Sequence, residues 1–465
     1  MYNKVNIKWF GATTMGIAAC IYLLSQQCPS YYNLLPIIPL TYGILNFLFV
    51  VVVSERSLSS VVGIMFNGVM LFRAVVMPIL LQLGDYTTSL TVNIEQNMPI
   101  AILLFSYEMI CEYVLLIIMF KRHSNKYGKA IIQEIKPNYR YGRLVGLLIV
   151  VLAVCFILAP MAVTYYRTIF GITEYEYTGF DSRTIISTYA TNFFSKFGLV
   201  TFRYIVNISR LVIPAIIISI MKKRNVREKY AFIVTLASVF VFDMLLVDDT
   251  IATSIVNALI TIIFYNRLYS DPKRTKIYFV YAFVAVVAYF ALRLTLTSGG
   301  SLYTNIFTKI SNIAQAYFLG TRNIAAGLNL TTEGWDTLKY MVYEFLKGVP
   351  YATTIFGLDS TNISTLFNNA NNWVGQIVPA ISSGSLYFGK IFAPIYPLLF
   401  LYISFKASRD VEIKEKPLYV LSSITISVYA LMGTSMYSPE ATWSFLFCIG
   451  IPIKLLSNLF EKVKK

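Results

Sequence analysis

The chain alternates between long apolar runs and short polar connections along nearly its whole length of 465 residues. About twelve of these runs are long enough to cross a bilayer as helices, because a span needs roughly 20 mostly apolar residues. They cover residues 9–26, 34–53, 59–83, 99–120, 144–165, 198–220, 231–247, 250–265, 277–297, 384–405, 418–437 and 442–459. The pattern predicts an all-α polytopic integral membrane protein, with residues 1–465 as a single transmembrane domain.

Two connections are much longer than the others: residues 298–383, between the ninth and tenth runs, and residues 166–197. A long loop in a chain whose other loops are short is more often functional than incidental. Within the larger loop, apolar residues recur at helical spacing from Trp335 to Val349, which predicts an amphipathic helix lying along the outer surface. We expect most acidic side chains of this loop to be solvated: Glu333, Asp336, Glu344 and Asp359.

The placement of the basic residues predicts the orientation. Most of the 39 Lys and Arg residues fall in connections on one side of the membrane, with the largest groups in residues 121–143, 222–229 and 267–276. Basic connections stay in the cytoplasm, so we expect both termini there and the two long loops outside. The net charge of +16 therefore follows from topology and does not indicate a nucleic-acid partner.

Composition agrees with a membrane protein, since 57% of the residues are hydrophobic and 13% are charged, about half the charge of a soluble domain. The five cysteines show neither a disulfide framework nor metal-ligand spacing. His123, the only histidine, lies in a basic cytoplasmic connection. Its isolation excludes a histidine metal cluster and a Ser-His or Cys-His arrangement on the outer face. We expect no metal and no cofactor.

Six basic side chains lie inside apolar runs, mostly toward the outer half of the membrane. Burial of such a group is costly, so it is normally paired or lines a polar cavity. The six are Arg73, Arg203, Arg210, Arg293, Lys390 and Lys454.

Arg203, Asn207 and Arg210 follow one stripe of a helix, at positions i, i+4 and i+7. Planar guanidinium groups bind phosphate oxygens in pairs, so this stripe favours a cavity that holds a diphosphate. The alternative is internal ion pairing, with Asp243 as a candidate partner. For Arg73 we favour the ion-pair interpretation, because two acidic residues share one face of the following helix. These two are Glu108 and Glu112.

The acidic pair Asp248-Asp249 ends the seventh run. Two adjacent carboxylates can bind a divalent metal or act as a base, whereas Asp249 alone is also a suitable N-cap for the eighth helix. The capping interpretation is favoured, and the metal interpretation stays open.

Taken together, the chain resembles the Wzy family of oligosaccharide repeat-unit polymerases. The resemblance covers the plan of nearly the whole chain: about a dozen spans, a long basic cytoplasmic connection, and a dominant outer loop before the last three helices. Three stretches carry it at the level of residues: Phe202-Arg203-Tyr204 to Arg210 followed by Pro214, Ala291-Leu292-Arg293, and Gly375-Gln376-Ile377-Val378-Pro379 to Gly384-Ser385-Leu386-Tyr387-Phe388-Gly389. The chain departs from several relatives where its eighth helix begins, because Asp248-Asp249-Thr250 stands where they carry an Arg.

The resemblance implies a metal-independent membrane glycosyltransferase that joins undecaprenyl-diphosphate-linked oligosaccharides into O-antigen or capsular polysaccharide. It would act at the outer face of the bacterial cytoplasmic membrane, with a flippase and a chain-length regulator as possible partners. Arg203, Arg210 and Arg293 would stabilise the departing diphosphate as catalytic residues. The substrate-binding residues would be Arg322, Lys390, Arg73, Asn207, Asn372, Gln376 and Asp249.

Three other classes share parts of this plan. O-antigen ligases share a histidine in an outer loop, and the only histidine of this chain lies in a predicted cytoplasmic connection. Metal-dependent oligosaccharyl- or mannosyl-transferases carry acidic residues in the first outer loop, and residues 27–33 contain none. A repeat-unit flippase is the non-enzymatic alternative, although flippases mostly keep their outer loops short.

Overall fold

A computed structural model of the protein describes residues 4–58, 60–86, 92–127, 135, 141–160, 192–245, 251–269, 306–332, 334–356, 362–373 and 375–461. Every regular element within these ranges is a helix, and none is a strand. The predicted span 277–297, most of the 166–197 loop, Arg293 and the pair Asp248-Asp249 lie outside the described residues.

The first half of the chain forms long helices. They are α1 (Lys4–Leu24), α2 (Ile37–Val52), α3 (Val61–Leu83), α4 (Val92–Tyr127), α5 (Tyr141–Leu158), α6 (Phe193–Lys223), α7 (Glu228–Val239, continued by a π-helical segment Phe240–Leu245) and α8 (Ile251–Leu268). Neighbours along the chain pack together, as α1 does on α2 and α5 on α6. A short connection allows the first of these pairings, whereas α5 and α6 pack together although the connection between Leu158 and Phe193 is long.

The second half contains shorter helices before the final bundle. They are α9 (Ile306–Tyr317), α10 (Thr321–Gly327), α11 (Trp335–Gly348), α12 (Ala352–Phe356), α13 (Ile363–Ala370), α14 (Ala380–Phe388), α15 (Ile395–Ile413), α16 (Pro417–Met432) and α17 (Pro439–Phe460). The loop predicted over residues 298–383 is therefore largely helical where it is described.

Within the described ranges, six segments are long and apolar enough to cross a membrane: Ser30–Val52, Val61–Leu83, Asn93–His123, Tyr141–Leu158, Phe193–Lys223 and Pro439–Phe460. At 1.5 Å per residue, about 20 helical residues match the hydrocarbon thickness of a bilayer. The chain is a multi-pass membrane protein of helical class. The larger number of spans stays a prediction.

The predicted tenth run, 384–405, is not one helix. Helix α14 ends at Phe388, Gly389 takes a positive φ of 78°, and α15 begins only at Ile395. The backbone also approaches itself here, because a Cβ added to Gly384 would overlap the Ala393 carbonyl. Hydropathy did not reveal the break because the turn residues, among them Ile391 and Phe392, are themselves apolar.

Two of the long helices contain a π-helical segment followed by a proline. In α3 the segment is Phe72–Val76, with Pro78 after it, and in α17 it is Leu446–Gly450, with Pro452 after it. Proline has no N–H to give to the helical ladder, and a π-turn is one way in which a helix accommodates the missing bond. Arg73 lies in the first of these segments, and its side chain is buried in the interior.

Helix α11 confirms the predicted helix from Trp335, and its apolar stripe faces outward. Trp335 is 85% exposed, and Leu338 and Val342 are also exposed. An exposed apolar stripe on a membrane protein suits contact with lipid at the interface. The opposite side faces the protein, where Glu344 is buried. Glu344 is therefore an exception to the expectation that most loop acids are solvated, because α11 packs that side against other helices.

Helix α10 lies in the interior although it belongs to the predicted outer loop. All seven of its residues are buried, and it packs mainly against α4 and α14. Close approach requires its last residue to be glycine, since a Cβ on Gly327 would overlap the Ser382 hydroxyl. The loop is thus partly built into the helical bundle.

Candidate functional site

Arg322 occupies the second position of α10 and is only 5% exposed. Its Nη2 donates a hydrogen bond of 3.2 Å to the Oε1 atom of Gln376. Its Cζ atom lies 5.1 Å from the centre of the Trp373 ring, in cation–π contact. The structure therefore brings together two residues that the sequence predicted to bind substrate, Arg322 and Gln376.

The positive charge of Arg322 has no acidic counterpart among the described residues. No carboxylate of these residues lies within ion-pair distance, and the Nε atom has no hydrogen-bond partner there. Burial disfavours the charged form and lowers the pKa of Arg322, although a guanidinium stays protonated in proteins. A buried cation without an anion is costly. An anionic ligand at this position would supply the missing negative charge.

The segment that carries Gln376 is held by an asparagine. The Gln376 N–H donates to the Oδ1 atom of Asn368 at 2.9 Å, and Asn368 Nδ2 returns a bond to the Gln376 carbonyl at 3.0 Å. Next to Arg322, Asn323 donates to the Ile377 carbonyl at 3.2 Å. These bonds fix the segment after α13 against α10, so that Gln376 and Arg322 keep their relative position.

A chain of amide side chains continues this network to α4. Asn97 Nδ2 donates to Asn329 Oδ1, and Asn329 Nδ2 donates to Asn371 Oδ1, each at 2.8 Å. Asn371 in turn donates to the carbonyls of Ala326 and Phe367. Asn372, which the sequence predicted as substrate-binding, is exposed and has a positive φ of 52°. The buried contact is made by its neighbour Asn371.

Arg73 is also buried, but the protein uses its donors. Its Nη1 lies 3.8 Å from Glu108 Oε1, and its Nε and Nη2 donate at 3.2 Å to the carbonyls of Phe318 and Leu319. Nη1 donates further to the Thr434 carbonyl at 3.4 Å. The ion pair with Glu108 is the one that the sequence favoured. As a substrate-binding residue Arg73 is a poor candidate, because its contacts tie α3 to the loop and to the final bundle.

The structure places the two arginines of the α6 stripe in different environments. Arg203 is exposed, whereas Arg210 is 3% exposed and its Nη1 donates to Asn207 Oδ1 at 3.4 Å. One arginine thus reaches outward, while the other lies within the helix packing, with Asn207 as one of its partners. The two arginines of the predicted diphosphate cavity therefore differ in exposure. Lys390, in the turn after Gly389, is exposed as well.

A second polar cluster surrounds Glu344, which is 2% exposed. The Tyr396 hydroxyl donates to its Oε2 at 3.0 Å, and the Ser383 hydroxyl donates to its Oε1 at 3.4 Å. Burial raises the pKa of Glu344 to about 8, and the charge of Glu440 adds to the increase. Sequence reasoning missed this cluster because its members come from three helices without a shared motif.

Acidic, histidine and cysteine side chains do not form a metal cluster of three or more in the parts of the chain that the structure describes. The surroundings of Glu344 are the hydroxyl groups of Tyr396 and Ser383, with the charge of Glu440 nearby. Hydroxyl donors around a carboxyl group suit a proton-carrying site better than a cation site.

Comparisons with known proteins leave the family of this chain open. No protein-family model matches it, no curated protein matches it, and no solved structure matches it. The resemblance to the repeat-unit polymerases gains no support from these comparisons and stays a prediction from the sequence.

Proposed function

We propose that this protein is a membrane glycosyltransferase that joins undecaprenyl-diphosphate-linked oligosaccharide repeat units at the outer face of the bacterial cytoplasmic membrane. The observation that carries the proposal is Arg322, a buried cation without a carboxylate among the described residues. Beside its fixed contacts with Gln376 and Trp373, the Nε donor has no hydrogen-bond partner among the described residues. A diphosphate supplies the missing negative charge, and guanidinium groups pair well with phosphate oxygens.

The proposed role of Arg322 is to neutralise the leaving group. In the transfer, the bond between the donor sugar and its lipid diphosphate breaks, and negative charge accumulates on the phosphate oxygens. Fixed donors aimed at developing charge are the strongest single contribution in many enzymes. The asparagine network holds Arg322 and Gln376 in place before substrate arrives, so little reorganisation is needed. Arg203, exposed on α6, is proposed to attract the second lipid-linked unit as it approaches.

Purified protein in liposomes with lipid-linked repeat units tests the proposal directly. The wild-type protein should produce glycans of many repeat units, still attached to lipid diphosphate. Arg322→Ala should lower the rate by about a hundredfold or more, the usual cost of one such contact. Lys339→Ala is the matched control, because Lys339 is an exposed cation on the same loop. Equal activity of the two variants would contradict the role of Arg322.

The product distinguishes the alternatives. A ligase would move the glycan from its lipid to a different lipid acceptor without lengthening it. A flippase would change the side of the membrane on which the repeat unit is found and form no glycosidic bond. Either result from the wild-type protein would overturn the proposed polymerisation.

The orientation needs its own experiment, because the proposal requires the loop of residues 298–383 to face outward. Single cysteines at Lys339 and Lys223, in a background without the five native cysteines, should differ in reactivity. A thiol reagent that cannot cross the membrane should label position 339 in intact cells and leave position 223 unlabelled until the cells are opened. The reverse pattern would invert the topology and remove the proposed site from the outer face.

A further inference from the structure

Glu344 is a buried acid whose neighbours are hydroxyl groups and another acid. Tyr396 from α15 and Ser383 from α14 donate to its two oxygens at 3.0 Å and 3.4 Å. The other titratable groups that face it are Tyr387 on α14 and Glu440 on α17. No Lys or Arg of the described residues forms an ion pair with it. The Glu344 carboxyl group is therefore surrounded by hydroxyl groups and has no ion-pair partner among the described residues.

Burial without a cation keeps Glu344 largely neutral near pH 7, since it raises the pKa of the carboxyl to about 8. A general base works best when its pKa lies close to the working pH, because it then combines a usable ionised fraction with basicity. A carboxyl with an ordinary pKa is always ionised at that pH but is a weak base. Glu344 thus has the chemistry of a proton acceptor.

Helix α11, which carries Glu344, is also connected to the helix with the predicted catalytic arginines. At its C-terminal end, the Gly348 carbonyl accepts a hydrogen bond from the Cys448 thiol. In the next turn the Tyr351 hydroxyl bonds with the Thr201 hydroxyl at 2.8 Å, and its ring stacks on Phe197 at 4.7 Å. Thr201 and Phe197 belong to α6 and lie less than two turns before Arg203, and the Tyr204 ring of the same helix also contacts Tyr351. Direct contacts therefore connect the region around Glu344 to α6, the helix that carries Arg203 and Arg210.

We infer that Glu344 is the proton acceptor of the glycosyl transfer, an inference that rests on the proposed function. The hydroxyl oxygen of the acceptor sugar forms a bond to the anomeric carbon of the donor while its proton passes to a Glu344 oxygen. The bond between that carbon and the diphosphate oxygen breaks, and the lipid diphosphate leaves with the electron pair. Glu344 then releases its proton to solvent. The step needs no co-reactant, and direct displacement inverts the anomeric centre.

The turn between α14 and α15 is the proposed route of access for this step. It joins the two helices whose Ser383 and Tyr396 donate to the carboxyl group, and its residues 389–392 are exposed. Gly389, with a positive φ of 78°, begins the turn. A shift of the turn would separate the two donors and open Glu344 to an acceptor sugar. When the acceptor sugar binds, its hydroxyl would take the place of the Ser383 and Tyr396 hydroxyls as the hydrogen-bond donor to Glu344.

The rate of polymerisation by the purified protein in liposomes, measured from pH 6 to pH 9.5, tests the inference. The wild-type rate should rise with pH and level off above about pH 8, because the ionised form is the base. Glu344→Gln should lower kcat by about a hundredfold or more, leave KM unchanged, and give a rate that no longer rises over this range. Glu344→Asp should retain part of the rate together with the pH dependence.

Two neighbouring substitutions give shifts of opposite sign, which a merely structural acid would not produce. The Tyr396 hydrogen bond lowers the pKa of Glu344, so Tyr396→Phe should move the midpoint of the rate profile to higher pH. The charge of Glu440 raises that pKa, so Glu440→Gln should move the midpoint to lower pH. These variants keep the inference testable even where Glu344→Gln fails to reach the membrane.

The outcomes separate the inference from the function on which it rests. If the wild-type protein forms no polymer, the proposed function fails. If the wild-type protein forms polymer and Glu344→Gln keeps its rate and pH dependence, Glu344 is not the proton acceptor. Midpoints that stay in place, or move together, in Tyr396→Phe and Glu440→Gln overturn the inference as well.

Discussion

Arg73 and Arg322 are both buried arginines, and they differ in what surrounds them. Arg73 lies against Glu108 and donates to three carbonyls, so its charge and most of its donors are satisfied within the protein. Arg322 has an amide oxygen and an indole ring beside it, but no acid among the described residues. Burial alone therefore does not reveal a function. The presence or absence of a counterion separates a structural arginine from one that is available to a ligand.

The largest effect is expected at Arg73. Arg73→Ala leaves Glu108 buried without its cation and removes the donors of three carbonyls, which should destabilise the protein by about 3–5 kcal/mol. The amount of protein in the membrane and its melting temperature in detergent measure this loss. The double variant Arg73→Met with Glu108→Gln should recover part of the stability, because the charge of Glu108 is removed together with that of Arg73. A stable Arg73→Ala protein would remove the contrast between the two arginines.

Anion binding is the next largest effect and should depend on Arg322. A short-chain prenyl diphosphate at a hundred times its Kd should stabilise the wild-type protein by about 2.7 kcal/mol. Arg322→Ala should fold normally and lose most of this stabilisation, whereas Lys339→Ala should keep it. Differential scanning fluorimetry with and without the diphosphate gives the shift. Equal shifts in the two variants would mean that the anion binds elsewhere.

The same comparison extends to the buried acids, since Glu108 has a cation beside it and Glu344 has none among the described residues. The pKa of Glu344 is about 8 in the folded protein, against an ordinary value of 4.5. Between these values the folded state holds a proton that the unfolded state has lost. The contribution of Glu344 to stability is therefore complete below about pH 4.5 and is lost as pH rises toward 8, by at most about 1.4 kcal/mol per pH unit.

Unfolding of the wild-type protein and of Glu344→Gln across this pH range isolates that contribution. The stability of the wild-type protein relative to the variant should decrease with rising pH. A constant difference would show that Glu344 is already ionised in the folded protein.

The smallest effect distinguishes two adjacent asparagines of the network. Asn371→Ala removes hydrogen bonds to Asn329, Ala326 and Phe367 and should cost about 1–3 kcal/mol, because buried groups lose their partners. Asn372→Gly is the matched control, since glycine accepts the positive φ and the side chain is exposed. The melting temperatures should differ clearly. Similar values for both variants would show that the network does not hold the site.

The sequence by itself determined the class of the protein. Apolar runs at bilayer length predicted membrane-spanning helices, and six of them are long enough in the structure. Periodicity also located helix α11 and its outward apolar stripe. These features depend on the pattern of hydrophobicity over a whole helix, such as the 14 residues of α11. That pattern can be read from the sequence without knowledge of the fold. The ion pair of Arg73 with Glu108 was predictable for a similar reason, because few acids lie in apolar runs.

Only the tertiary structure decided which polar residues meet. Arg322 and Gln376 are 54 positions apart, and Glu344 and Tyr396 are 52 apart, so no local pattern relates them. The sequence marked Asn372, whereas the buried partner is its neighbour Asn371, and Asn372 is exposed with a positive φ. The sequence also assigned the same role to Arg203 and Arg210. In the structure, the helices that pack on α6 bury Arg210 and leave Arg203 exposed. Helical periodicity determines on which side of a helix a residue lies. Whether the residue is buried, and which residues it contacts, depends on the helices that pack against that side.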